Sequence, residues 1–144
     1  MKKINVRIKI SNGVLEALCN SSYRIHICGS DIKKLKELVE KRVLRIYEMK
    51  LDEYKKTEQY EEPEEYYKNK PVIPQITYTY EIREILHEIK PFIKINKIAE
   101  YSGLSTIMIS SYMNNKKNIS EESFLKIRRG IRKILLEMNL KMGL

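Results

Sequence analysis

Three residues in the last third of the chain, Ala99, Gly103 and Ile109, constrain its fold most strongly. Two helices that cross steeply leave room only for a small side chain where they touch, and Ala99 fits there. The turn that joins them needs a residue that adopts positive φ easily, and Gly103 follows at the right distance. Ile109 then supplies an aliphatic side chain at the junction. The spacing predicts a helix-turn-helix within residues 95–114.

The residues around this turn predict an all-helical bundle over residues 81–144. Pro91 ends one predicted helix, and Ser120 is the predicted N-cap of the last one, with Glu121 and Glu122 favourable in its first turn. Apolar residues at three- and four-residue steps form the predicted buried stripe of that last helix. They are Phe124, Ile127, Ile131, Ile134 and Met138.

The first part of the chain, residues 1–57, predicts three strands and one helix. Apolar residues alternate with polar ones over residues 4–10, and Asn12-Gly13 is typical of a two-residue hairpin turn. Two further strands are predicted before Asp31, the expected N-cap of a helix. The apolar face of that helix runs from Ile32 to Met49, and it is expected to cover an antiparallel β-meander.

Residues 58–74 predict an acidic linker, because Glu58, Glu61 and Glu62 and their neighbours alternate with tyrosines and prolines. Residues 75–80 alternate again and form a candidate fourth strand. The predicted fold class is therefore α+β, with a β-β-β-α domain over 1–57, a linker over 58–74 and a helical domain over 81–144.

Net charge indicates the kind of partner. The chain has 144 residues, with 28 Lys and Arg against 19 Asp and Glu, and a formal charge of +9. This surplus favours a polyanion, and double-stranded DNA before a membrane. No apolar run is long enough to span a bilayer, and the two cysteines suit a reducing compartment, so a cytoplasmic protein is expected.

In a helix-turn-helix, the helix after the turn enters the major groove, and the loop that follows it contacts phosphates. Hydroxyl groups and one exposed aliphatic side chain would contact bases here, which predicts modest direct readout. The predicted DNA-binding residues are Ser105, Thr106, Ile107, Ser110, Ser111, Asn114, Asn115, Lys116 and Lys117. One such unit covers only a half-site, so a homodimer or higher oligomer is expected.

The sequence gives little support for a catalytic or metal-binding function. Paired carboxylates, a glycine-rich phosphate loop and a nucleophile beside a base are all missing from it, so no enzyme, catalytic residue or cofactor is predicted. Cys19, His26 and Cys28 lie close together, but simple core or surface roles are expected for them, and no metal site is predicted. Basic residues of the last helix are expected to be a solvated face.

The order of elements and several motifs resemble the HicB family of antitoxins. In the first part these are the strand of residues 4–10, the Asn12-Gly13 turn and the segment of residues 23–31 that leads into the helix. The last part of the chain is similar to the DNA-binding end of HicB-like proteins from Bacteroidetes. The residues that carry this similarity are residues 95–99, Gly103-Leu104, Tyr112, Lys116-Lys117, Ser120-Glu121, Lys126-Ile127 and Ile131.

The resemblance implies a transcriptional regulator of HicB-like antitoxin type that binds its own operator as a dimer. It implies an alternative function as an interaction protein whose first domain masks a HicA-like ribonuclease toxin, with DNA binding secondary. A third hypothesis remains open, since the serine-rich helix of residues 105–114 also suits a bundle that binds protein only.

Overall fold

The structure is a computed structural model that describes residues 2–58, 60, 62–115 and 117–143. Three strands come first, and helices with two further strands follow them along the chain. They are β1 (Lys3–Ser11), β2 (Val14–Asn20), β3 (Arg24–Gly29), α1 (Ile32–Lys56), α2 (Pro63–Lys68), β4 (Gln75–Glu81), α3 (Arg83–Ile89), α4 (Ile95–Ser102), α5 (Thr106–Asn114), β5 (Ile119–Ser120) and α6 (Glu121–Met142). The predicted combination of one sheet with helices is confirmed.

The sheet is mixed, with the strand order β3-β2-β1-β4-β5. β1 and β2 are antiparallel and joined by Asn12 and Gly13, whose φ angles of 49° and 76° suit a type I′ turn. β4 instead runs parallel to β1, with Ile4 opposite Ile76. The sheet is therefore not purely antiparallel, although β2 pairs antiparallel with both β1 and β3, because α1 and α2 form a crossover that returns the chain to the end where β1 begins.

One face of the sheet is buried under helices. Ile4, Val6 and Ile8 on β1 are almost inaccessible, as are Leu35 and Val39 on α1. Asp31 caps α1 as predicted, since its Oδ1 accepts a hydrogen bond from the Lys34 amide at 2.9 Å. Two residues predicted in buried stripes, Met49 on α1 and Met138 on α6, are exposed instead, and Met138 lies beyond Ile134, the last buried residue of α6.

Part of the segment predicted to be a linker is folded. α2 begins at Pro63, and Tyr66 on this helix is buried against Tyr54 of α1, with ring centroids 4.2 Å apart. The Tyr54 hydroxyl donates a hydrogen bond to the Tyr66 carbonyl at 2.5 Å. Glu61 lies outside the described residues. The segment thus connects α1 to β4 and also packs on α1.

Residues from both halves of the chain share one hydrophobic core. β4 and β5 extend the sheet begun by β1, and Ile119 of β5 is buried in the same cluster as Val6. The division into domains at 1–57 and 81–144 remains a prediction.

Two tyrosines of β4 lie beneath the junction of α1 and α6. Lys36 of α1 pairs with Glu121 of α6, and the Tyr80 hydroxyl donates to the same carboxylate at 3.1 Å. The Tyr80 ring stacks on Phe124, with centroids 4.0 Å apart. Burial, with Glu40 and Glu121 nearby, raises the pKa of Tyr78 to about 12, and burial also raises the pKa of Tyr80.

These raised pKa values predict a loss of stability in alkali. A phenol whose pKa is higher in the folded than in the unfolded state makes its full contribution to stability at any pH below its unfolded pKa, which is about 10. That contribution is lost as the pH rises towards about 12 for Tyr78. We expect urea unfolding to show a falling free energy between pH 9 and pH 11.5, and Tyr78→Phe to reduce that fall. Equal falls in both proteins would contradict the assignment to Tyr78.

Candidate nucleic-acid interface

The first helix of the candidate interface, α4, is held by a small apolar contact surface. Ile98 and Ala99 are buried, and the Ser102 hydroxyl donates to the Ile98 carbonyl one turn earlier. Gly103 follows as the C-cap with φ 71° and ψ 21°, the left-handed conformation that glycine adopts without strain. The Leu104 amide then donates to the Ala99 carbonyl at 3.1 Å.

The second helix, α5, begins directly after this turn. Ser105 is its N-cap, and the serine Oγ accepts a hydrogen bond from the Met108 amide at 3.1 Å. Ile109 is fully buried, and Tyr112 and Met113 are also in the core. Residues 95–114 thus form a helix, a tight turn and a helix, which we call the α4–α5 unit.

The other side of α5 faces solvent and carries no charge. Thr106 and Asn114 are exposed, and the Ile107 side chain is 81% exposed. Ser110 and Ser111 are partly buried at the edge of this surface. An exposed isoleucine flanked by hydroxyl and amide groups can make apolar contact and short hydrogen bonds, but it supplies no bidentate arginine or glutamine.

The loop after α5 is tied back to that helix. The Asn115 amide donates to the Ser111 carbonyl at 2.9 Å, and the Asn115 side chain donates to the Ser111 hydroxyl at 3.3 Å. Lys117 is exposed, and its amide donates to the Asn115 carbonyl at 2.7 Å. Lys116, the other predicted phosphate contact, lies outside the described residues. Lys117 makes no ion pair within the part of the chain that is described.

His87 of α3 has a role that the sequence did not indicate. Its Nε2 lies 2.9 Å from the carbonyl of Met113, so this nitrogen carries the proton and donates to the end of α5. His87 itself is exposed, and no local signal in the sequence connects residue 87 with residue 113. This contact adds one hydrogen bond between α3 and the end of α5.

α6 supports the unit from the other side. At Gly130, which is buried, an added Cβ would lie 2.8 Å from the Ser102 amide nitrogen. The helices α4 and α6 therefore approach each other backbone to backbone. Ser120 caps α6 as predicted, with its Oγ accepting from the Ser123 amide at 3.2 Å.

The two cysteines and the histidine that lie close together in the sequence of the first half do not lie on one face of the sheet. Cys19 is buried on the core face of β2, whereas His26 and Cys28 lie on the exposed face of β3. His26 Nε2 lies 2.8 Å from a carboxylate oxygen of Glu16. Within residues 2–58, 60, 62–115 and 117–143, no cluster of three His, Cys, Asp or Glu side chains suits a metal ion.

Neither a family model, nor a curated protein, nor a solved structure matches the chain. Among the described helices, none is both long enough and apolar enough to cross a bilayer.

Proposed function

We propose that this protein is a DNA-binding transcriptional regulator of HicB-like antitoxin type. The observation that carries the proposal is the α4–α5 unit, in which Ala99 and Ile109 are buried, Gly103 forms the turn and α5 keeps one face exposed. A helix held this way enters a major groove without rearrangement. The chain's charge of +9 supports a polyanionic partner.

Within this proposal, α5 contacts bases and the following loop contacts phosphates. Ile107 would pack on a thymine methyl group, and Thr106 and Asn114 would hydrogen-bond to base edges. Because α5 itself carries no charge, the electrostatic part of binding comes from flanking lysines such as Lys94 and Lys117, both exposed. Operator binding as a homodimer follows, since one unit covers a half-site.

Binding to DNA upstream of the protein's own gene tests the proposal. A fluorescent duplex of that sequence and a scrambled duplex are titrated with the full chain across a salt series. Preference for the upstream duplex at physiological salt supports a regulator. Equal binding to both, with a steep loss in salt, or no binding at low salt, overturns sequence-specific regulation.

A charge reversal at the loop after α5 gives a sharper test. Lys117→Glu is expected to weaken binding to both duplexes and to lower the slope of log affinity against log salt by about 1, because one phosphate contact is lost. Lys41→Glu on α1 makes the same change in net charge at an exposed site. If Lys41→Glu weakens binding as much as Lys117→Glu, net charge alone accounts for the effect.

An antitoxin that masks a HicA-like toxin is the second candidate. The observation in its favour is the second face of the sheet, where Asn5, Arg7 and His26 and their neighbours remain exposed. Co-purification of the full chain with a small protein encoded beside it tests this. Loss of that partner on Arg24→Glu, on the exposed face of β3, with DNA binding intact, would separate the two functions.

A further inference from the structure

An apolar groove lies between α3 and α6, outside the candidate nucleic-acid interface. Its volume is about 380 Å³, within the range of small-molecule sites. Ile85 and Ile89 of α3 form one wall, and Ile127 and Ile131 of α6 form the other. The groove exists because α3 packs on α5 and β1, whereas α6 packs on α4 and β4.

Two arginines line the same groove. Arg128 and Arg132 are one helical turn apart on α6, so their side chains lie on one side of the helix. Neither makes an ion pair with any of the described residues. Asp31 also lines the groove, but its Oδ1 caps α1 by accepting from the Lys34 amide.

The nearest acidic residues of α3 are engaged elsewhere. Glu88 accepts hydrogen bonds from the Ser11 hydroxyl at 3.1 Å and from the Asn12 amide at 2.8 Å. Glu84 pairs with Lys9 at 2.9 Å. These contacts hold α3 against the β1–β2 hairpin, so this wall is fixed before any ligand arrives, and both glutamates are paired away from Arg128 and Arg132.

We propose that the groove binds a small molecule with an apolar body and one carboxylate, such as a medium-chain fatty acid. The apolar chain lies between the isoleucines, and Arg128 and Arg132 bind the carboxylate by charge-assisted hydrogen bonds. A small molecule fits better than a helical peptide, because the seven residues of α3 give a wall only about 10 Å long. This site does not depend on DNA binding.

The test uses decanoate as the probe, with decan-1-ol as the neutral match and decyltrimethylammonium as the cationic match. Each is titrated into the full chain below its aggregation concentration, with calorimetry and isoleucine methyl NMR. We expect decanoate to bind at least about tenfold more tightly than decanol, and the cation to bind most weakly. The methyl signals of Ile85 and Ile127 should move, while that of Ile25 in β3 should not.

Variants assign the preference to the arginines. Arg128→Gln combined with Arg132→Gln is expected to abolish the preference for decanoate over decanol. Arg129→Gln should retain it, because Arg129 is exposed on α6 outside the groove and its Nε donates to the Leu125 carbonyl. If the double variant does not fold, the comparison of the three probes on the unchanged chain still tests whether the groove prefers a carboxylate.

Three results would overturn the proposal. Equal affinities for decanoate and decanol would remove the role of the arginines. An equal loss of decanoate binding in Arg129→Gln would indicate attraction to net charge. Isoleucine methyl signals unmoved by all three probes would show that the groove is not a small-molecule site.

Discussion

Ile109→Ala is expected to lower the free energy of unfolding by about 2–5 kcal/mol, because it leaves a cavity at a fully buried site. Ile107→Ala removes the same atoms two residues earlier on α5, from a side chain that is 81% exposed. Its expected effect on stability is below about 0.5 kcal/mol. Urea unfolding of the two variants beside the unchanged chain measures the difference directly.

The same pair separates folding from DNA binding. Ile107→Ala should weaken binding to the upstream duplex while unfolding stays unchanged, since the proposed contact is with a thymine methyl group. Ile109→Ala should weaken binding only under conditions where its lower stability leaves part of the protein unfolded. Comparable stabilities for the two variants would show that the α4–α5 unit is packed differently from the structure.

Gly130→Ala is expected to destabilise the fold, although alanine favours a helix by about 0.5–1 kcal/mol relative to glycine. The added Cβ would lie 2.8 Å from the Ser102 nitrogen and 3.0 Å from the Tyr101 carbonyl carbon. Both are backbone atoms, so α4 as a whole must shift. Such overpacking costs about 1–3 kcal/mol, and Gly130→Val should cost more than Gly130→Ala.

Thermal unfolding of the Gly130 series provides the measurement, with Lys133→Ala as the control on the exposed side of α6. Lys133→Ala should leave the melting temperature nearly unchanged. A melting temperature that rises in Gly130→Ala would mean that the gain in helix propensity outweighs the overpacking. In that case α4 and α6 would lie further apart than the structure shows.

Local signals in the sequence explain which elements were predictable. The helices on either side of Gly103 follow from the turn geometry that a left-handed residue permits, and the caps at Asp31 and Ser120 follow from short-range hydrogen bonding. Residues 75–80 were a candidate strand because they alternate. Alternation defines the faces of a strand but carries no information on its partner, so the parallel pairing of β4 with β1 was missed.

Other features could not be predicted from the sequence because they depend on long-range contacts. Pro63 followed by acidic residues is a recognisable start of a helix, but the burial of Tyr66 depends on Tyr54 in α1. The contact between His87 and Met113 joins two helices with no common motif. The candidate DNA surface could be located in sequence because it is a local unit, whereas the groove beside Arg128 requires three separate segments to be brought together.

The central position of β1 affects how the chain folds during synthesis. β1 pairs on one side with β2, which follows at once, and on the other side with β4, where Ile4 lies opposite Ile76. Until the ribosome has released β4, one edge of β1 has no native partner, and open edges invite pairing with other chains. Such non-local pairing also slows folding. A nascent chain that stalls before residue 75 therefore exposes the strand that later forms the middle of the sheet.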